Sequence, residues 1–203
     1  MKIAIIGATG NVGSRLTDEA LRRGHTVTAL ARQASNLPAR AGVAAQDVDV
    51  ADTSALANAL RGSDAVISTV RFLQTSAAQI VAAVRAAGAT RLLVVGGAGS
   101  LYVAPGAQLV DTPNFPDAYK AEASAGRDFL DALRGETDLE WTFLSPSALF
   151  TPGERTGKFR LGTDDLLTAA DGKSWISMED YAIAMLDEIE QPKHVRERFT
   201  VGY

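Results

Sequence analysis

Gly7, Gly10 and Gly13 recur at intervals of three between the apolar run Lys2–Ile6 and a segment in which Val12, Leu16 and Ala20 recur every four residues. A strand before the glycines and an amphipathic helix after them give the triplet a chemical meaning. Gly7 permits a tight turn, Gly10 lets backbone approach a pyrophosphate, and Gly13 lets the helix lie close against the strand. The helix start offers free N–H groups and a partial positive charge to phosphates. The loop Gly7-Ala8-Thr9-Gly10-Asn11-Val12-Gly13 is therefore expected to hold a dinucleotide.

The end of the second strand decides which one. An acid there would accept hydrogen bonds from a ribose 2′-hydroxyl and repel a 2′-phosphate. Ala29-Leu30-Ala31-Arg32-Gln33 contains no acid. Arg32 offers a planar, permanently charged fork to a phosphate, and Arg15 on the first helix offers a second. NADP(H) is expected over NAD(H), the alternative for Arg32 being a solvated residue after a strand. Asp49 suits an adenine amine beside the apolar wall of Val50, and equally suits a turn or helix cap. Ser68 and Thr69, at the carboxyl end of the fourth strand, fall where a doubly wound sheet keeps its ligand crevice, and would otherwise be an ordinary strand-to-helix loop.

These residues need a scaffold, and the sequence supplies one. Apolar runs rich in β-branched residues predict strands at Lys2–Ile6, Thr26–Ala31, Gly42–Ala45, Ala65–Thr69, Arg91–Val95 and Glu140–Leu144. Helical patterns lie between them, with a glycine stop predicted at Gly24, Gly62, Gly88 and Gly135. The expected fold is α/β, a doubly wound parallel sheet with helices on both faces. After Pro146 the texture becomes loop and hairpin. Ser177-Met178-Glu179-Asp180 then reads as a capping box for a helix through Glu190, and Arg198–Val201 as a last edge strand. Residues 1–203 are expected to form one domain, with about 146–203 as a lid over the carboxyl edge.

Composition narrows the function. The chain has 203 residues, 46% hydrophobic and 22% charged, with a net charge of −4. That suits one full core and gives no field to gather nucleic acid or anionic lipid. A small-molecule substrate is expected, with no nucleic acid and no membrane as partners; the oligomeric state is not set by sequence. There is no cysteine, and the apolar start is too short for a signal peptide, so a cytoplasmic location is expected. His25 and His194 each stand beside a helix end, read as surface positions, and propose no metal site.

The chain resembles the atypical short-chain dehydrogenase/reductases, and within them the NAD(P)H-binding family that includes NADH-flavin reductases and NmrA-like proteins. The glycine loop, Val94-Val95-Gly96-Gly97-Ala98-Gly99-Ser100-Leu101, Trp141-Thr142-Phe143-Leu144-Ser145-Pro146 and Gly153-Glu154-Arg155-Thr156-Gly157-Lys158 carry the resemblance. Members of the wider superfamily use a Ser, a Tyr and a Lys four residues after the Tyr. Matching Lys120 to that lysine puts Pro116 where the proton donor belongs, with Tyr119 on another face of its helix. Ser100 and Lys120 are thus the remaining weak catalytic candidates, Lys120 as a ribose anchor or a solvated helix lysine. The departure argues against ordinary carbonyl reduction. A flavin or quinone, with FMN or FAD as substrates, takes hydride without that tyrosine. The protein would then need only to hold the nicotinamide against a flat ring, using the backbone after Pro146 and the faces of Phe150, Phe72 or Tyr102, with Thr151–Phe159 as a cover, the alternative for each aromatic being core packing. The alternatives are a non-catalytic NAD(P) sensor of NmrA-like type and an epimerase- or dehydratase-like enzyme.

Overall fold

The computed structural model describes residues 1–203. In chain order the elements are β1 (Lys2–Ile6), α1 (Asn11–Arg22), β2 (Thr26–Ala31), β3 (Val43–Asp47), α2 (Thr53–Leu60), β4 (Ala65–Ser68), α3 (Ala77–Ala86) and β5 (Arg91–Val95). A small hairpin follows, β6 (Tyr102–Ala104) and β7 (Ala107–Gln108), and then α4 (Asp117–Arg134) and β8 (Glu140–Pro146). The last part holds β9 (Leu149–Thr151), β10 (Arg160–Gly162), β11 (Trp175–Ser177), α5 (Met178–Glu190) and β12 (Glu197–Gly202).

Eight strands form one sheet in the order β10-β12-β8-β5-β4-β1-β2-β3, parallel throughout except for β10. Strand order reverses between β1 and β4, so a crevice opens above their carboxyl ends. Alternation along each strand splits the core in two. Ala4 and Ile6 of β1 join Leu56, Ile80, Leu133 and Phe143 under α2, α3 and α4. Ile3 and Ile5 join Leu16, Ala20, Tyr181, Met185 and Phe199 under α1 and α5. Each of the leucine, isoleucine, methionine and phenylalanine side chains among them, fully buried, contributes about 1.5–3 kcal/mol.

The expected doubly wound sheet is present, with several local corrections. Gly24, Gly62 and Gly88 take positive φ at their helix ends, but Gly135 sits at φ −79° with ordinary right-handed geometry, so any residue could stop α4 there. The last strand is interior, hydrogen-bonded to β8 on one side and β10 on the other, and β10 is the edge. The capping box is half formed. Ser177 Oγ accepts the Asp180 N–H at 3.0 Å, whereas the Asp180 carboxylate turns to the Gly157 N–H at 2.9 Å and to the hydroxyls of Thr156 and Tyr203. The expected lid divides likewise: α5 packs along α1 and buries Tyr181, Met185 and Leu186, because the apolar stripe of α1 needs a partner. The stretch between β8 and α5 shares in that core through Ile176, Phe150 and Phe159. His25 is not a surface residue either. Its ring is largely covered and bonded to Glu190 at 2.8 Å, while the His194 ring stacks on Phe199 at 4.1 Å and bonds Glu188 at 2.8 Å.

Candidate functional site

The glycine turn is built by close backbone approach. Gly7 adopts φ +86° and its N–H donates to the Leu30 carbonyl at 2.7 Å. Thr69 Oγ1 donates to the carbonyls of Ile6 and Gly7 at 2.9 and 3.1 Å, locking β4 to the turn. A Cβ on Gly7 would lie 2.3 Å from that hydroxyl, and one on Gly13 would lie 2.2 Å from the Gly7 carbonyl. A Cβ on Gly10 meets only the Gly7 carbonyl, at 3.3 Å. The protein therefore needs glycine at 7 and 13 for its own packing, and at 10 for what approaches from outside. Helix α1 starts from Gly10 with no side-chain cap and no acid in its first turn, which leaves the amides of Asn11, Val12 and Gly13 without side-chain partners.

Above this turn lies a cavity of about 630 Å³, bounded by Gly7, Thr9 and Gly10, by Ala31, Arg32 and Gln33 after β2, and by Thr69, Val70, Arg71 and Gln74 after β4. Val48 and Val50 give it an apolar wall. Two arginines and no acid stand in its lining. An uncapped helix start, an apolar slot and an acid-free cationic end match, in that order, a pyrophosphate, an adenine and a phosphorylated ribose. The residues present thus fit an NAD(P)(H) dinucleotide, with no carboxylate in the lining.

Several expected residues are elsewhere. Arg15 does not reach the cavity: its Nε donates to Glu179 at 3.1 Å, because α5 lies against that face of α1. The second cation in the lining is Arg71, its Nε 3.6 Å from Glu122, missed in the sequence although it stands three residues past β4, at the switch point. Asp49 is a turn residue outside the lining, its Oδ1 accepting the Ala51 N–H at 2.9 Å. Ser68 is buried beneath the crevice, and only Thr69 of that pair reaches it. Pro146 is buried at the end of β8.

The catalytic candidates do not assemble. Ser100 is buried, with Arg198 Nη1 3.4 Å from its Oγ, so it belongs to an internal network that also holds Ser145 and Asp164. Lys120 is exposed on the first turn of α4 and outside the cavity lining, and Pro116 is that helix's N-cap. Tyr119 is 65% exposed. Tyr119→Phe is accordingly expected to change any turnover less than threefold, against the ~100-fold or greater loss for a true general acid; steady-state kinetics decide it. Of the aromatics, Phe72 is half-buried against the core, stacked on Phe143 at 5.9 Å and against Phe129 at 5.3 Å. Phe150 packs on Tyr181 at 4.6 Å. Tyr181 donates to the Leu144 carbonyl at 2.7 Å, and its complete burial pushes the phenol well above its ordinary value.

The Thr151–Phe159 cover is pinned rather than loose. The Gly153 N–H donates to Glu179 at 2.7 Å, Gly157 donates to Asp180, and Arg155 makes a two-pronged contact with the buried Glu19 at 2.8 and 2.9 Å. Those bonds from Arg155 hold the Glu19 carboxyl below the ordinary carboxylate range, against burial, which pushes it up.

Sheet order, glycine turn and cavity together define a Rossmann-fold dinucleotide-binding protein. Residues 7–192 match the model of the NAD(P)H-binding family, and the chain belongs to that family. Three solved structures are similar over the full length of the chain. A "putative exported protein" from Burkholderia pseudomallei is 50% identical, with all of its own chain covered and a TM-score of 0.90. A "putative epimerase" from Bacteroides thetaiotaomicron is 42% identical, 96% covered, with a TM-score of 0.94. A "putative NADH-flavin reductase" from Streptococcus pneumoniae is 37% identical, 99% covered, with a TM-score of 0.87. No helix of the chain is long and apolar enough to cross a membrane.

Proposed function

We propose that the protein is an NADPH-dependent reductase that passes hydride to a flavin or quinone-like ring. The observation that carries the reading is the cavity at the switch point, with Arg32 and Arg71 at its cationic end and no acid in its wall. NADPH, when bound, supplies the hydride. The chain's own residues then bind and orient: the first-turn amides of α1 take the pyrophosphate, Val48 and Val50 flank the adenine, and the arginines take the 2′-phosphate. The exposed Lys120 and the buried Ser100 leave no Ser-Tyr-Lys set to protonate a carbonyl oxygen, which favours an acceptor that solvent can protonate after reduction. The similarity to the pneumococcal structure supports the same acceptor class.

Calorimetric titration should give NADPH at least about tenfold tighter than NADH, since a charge-assisted phosphate contact contributes roughly 1.5–3 kcal/mol. Arg32→Asp should erase or reverse that ratio, and Arg71→Gln should reduce it. Equal wild-type affinities for the two cofactors would overturn the assignment. A sensor that binds the dinucleotide without turnover is the second reading, favoured by the same dispersal of Ser100, Tyr119 and Lys120. It replaces the first if no flavin or quinone oxidises bound NADPH.

A further inference from the structure

The carboxyl edge beyond the cofactor cavity carries a second recess of about 610 Å³, between the β6–β7 hairpin and the segment Asp165–Thr168. The two walls are stitched together: the Tyr102 N–H donates to the Asp164 carbonyl, and the Leu166 N–H to the Tyr102 carbonyl, both at 2.9 Å. Beside it stands an aromatic ledge. Trp175 packs on Tyr203 with ring centroids 4.3 Å apart, and Leu149 lies opposite Trp175 across the β9–β11 pair. Arg160 Nη2 ties ledge to recess by donating to the carbonyls of Thr168 and Tyr203 at 2.6 and 2.5 Å.

Seven large apolar side chains are left exposed, and five of them, Leu73, Val103, Tyr119, Leu149 and Trp175, lie on connections at the sheet's carboxyl edge. Scattered exposed apolar residues need no explanation, but a concentration on the ligand-binding edge of a doubly wound sheet does. Charge narrows the occupant. Asp165 is the one charged side chain in the recess wall, so an anionic group entering it meets a carboxylate, while the nearby Arg160 guanidinium is turned to the Thr168 and Tyr203 carbonyls.

Resting on the reductase reading, we propose that this recess and ledge take an uncharged, flat ring system as the acceptor, a neutral quinone or an unphosphorylated isoalloxazine, and discriminate against phosphorylated flavins. The acceptor gains a hydride with its electron pair at a ring atom from NADPH, which is oxidised to NADP⁺, and the reduced ring takes its balancing proton from water.

Calorimetric titration of the NADP⁺-saturated protein with riboflavin, FMN and 1,4-naphthoquinone tests this without turnover, and the absence of cysteine removes thiol addition to the quinone as a complication. Riboflavin and naphthoquinone are expected to bind at least about tenfold more tightly than FMN, which shares riboflavin's ring and differs by its phosphate. Asp165 is exposed, so Asp165→Lys should fold normally and bring FMN to riboflavin's affinity or beyond. Trp175→Ala should weaken both flavins alike. FMN binding as tight as riboflavin in the wild type, saturable binding by none of the three, or ring binding untouched by both substitutions would overturn the proposal. Ring binding that persists while NADPH fails to bind would strike the reductase reading and leave this subsite standing.

Discussion

With valine in place of Gly10, the protein is expected to remain folded and to lose NADPH affinity by at least ~100-fold, or about 2.7 kcal/mol. The backbone at Gly10 has φ −74°, which any residue adopts, and a Cβ there meets only the Gly7 carbonyl at 3.3 Å. The added methyls would instead occupy the cavity that Gly10 lines, where a pyrophosphate approaches the helix start. Circular dichroism should show native helix content, and calorimetry should show the lost binding. Gly13→Val is the contrasting case: its Cβ would lie 2.2 Å from the Gly7 carbonyl, so that variant should fail to fold. A folded Gly10→Val protein with undiminished affinity would mean that phosphates bind elsewhere.

The second large effect concerns stability. Arg91 and Glu188 form an ion pair at 3.1 Å with side chains 7% and 3% exposed. Glu188 also accepts the N–H groups of Lys193 and His194, at 3.0 and 2.8 Å, and so ties the end of α5 to the chain entering β12. Burial pulls the Arg91 guanidinium below its ordinary value, against the raising influence of Glu188. Glu188→Ala leaves a buried, uncompensated charge and should cost about 3–5 kcal/mol in urea-unfolding measurements. Arg91→Met combined with Glu188→Leu should recover part of that loss, because it removes both charges but leaves the Lys193 and His194 N–H groups without their acceptor. A cost below about 1 kcal/mol for the single variant would show that water reaches Arg91 readily.

The fold was legible because its signals are local. Ile3-Ala4-Ile5-Ile6 before the glycine triplet, and Val12, Leu16 and Ala20 after it, announce strand, turn and helix by period alone. The same holds for the cofactor turn, whose requirements at Gly7 and Gly13 are steric and backbone-borne. What escaped was set by distant partners. Arg15 has the charge and the position for a phosphate contact, but Glu179, 164 residues away in sequence, takes its guanidinium. Phe72 looked like an available ring because nothing local reveals Phe129 and Phe143 beside it. Asp49 was undecidable in sequence, since an adenine amine and the Ala51 N–H ask for the same acceptor. Arg71 could have been found by the switch-point reasoning that selected Thr69, carried two residues further.

The pairing of α1 with α5 bears on how the chain is made. Translation delivers the glycine turn and its helix early, yet the apolar side chains that cover Leu16 and Ala20 belong to residues synthesised last. At roughly 5–20 residues per second, the interval between Arg15 and its partner Glu179 is on the order of 10 to 30 seconds. During that time one face of the nascent sheet has α1 without its partner helix, while the opposite face, covered by α2, α3 and α4, can already close. A ribosome stalled before α5 would hold a chain with half its core assembled and a sticky, unfinished side, making that stretch of synthesis the one in which a chaperone has most to protect.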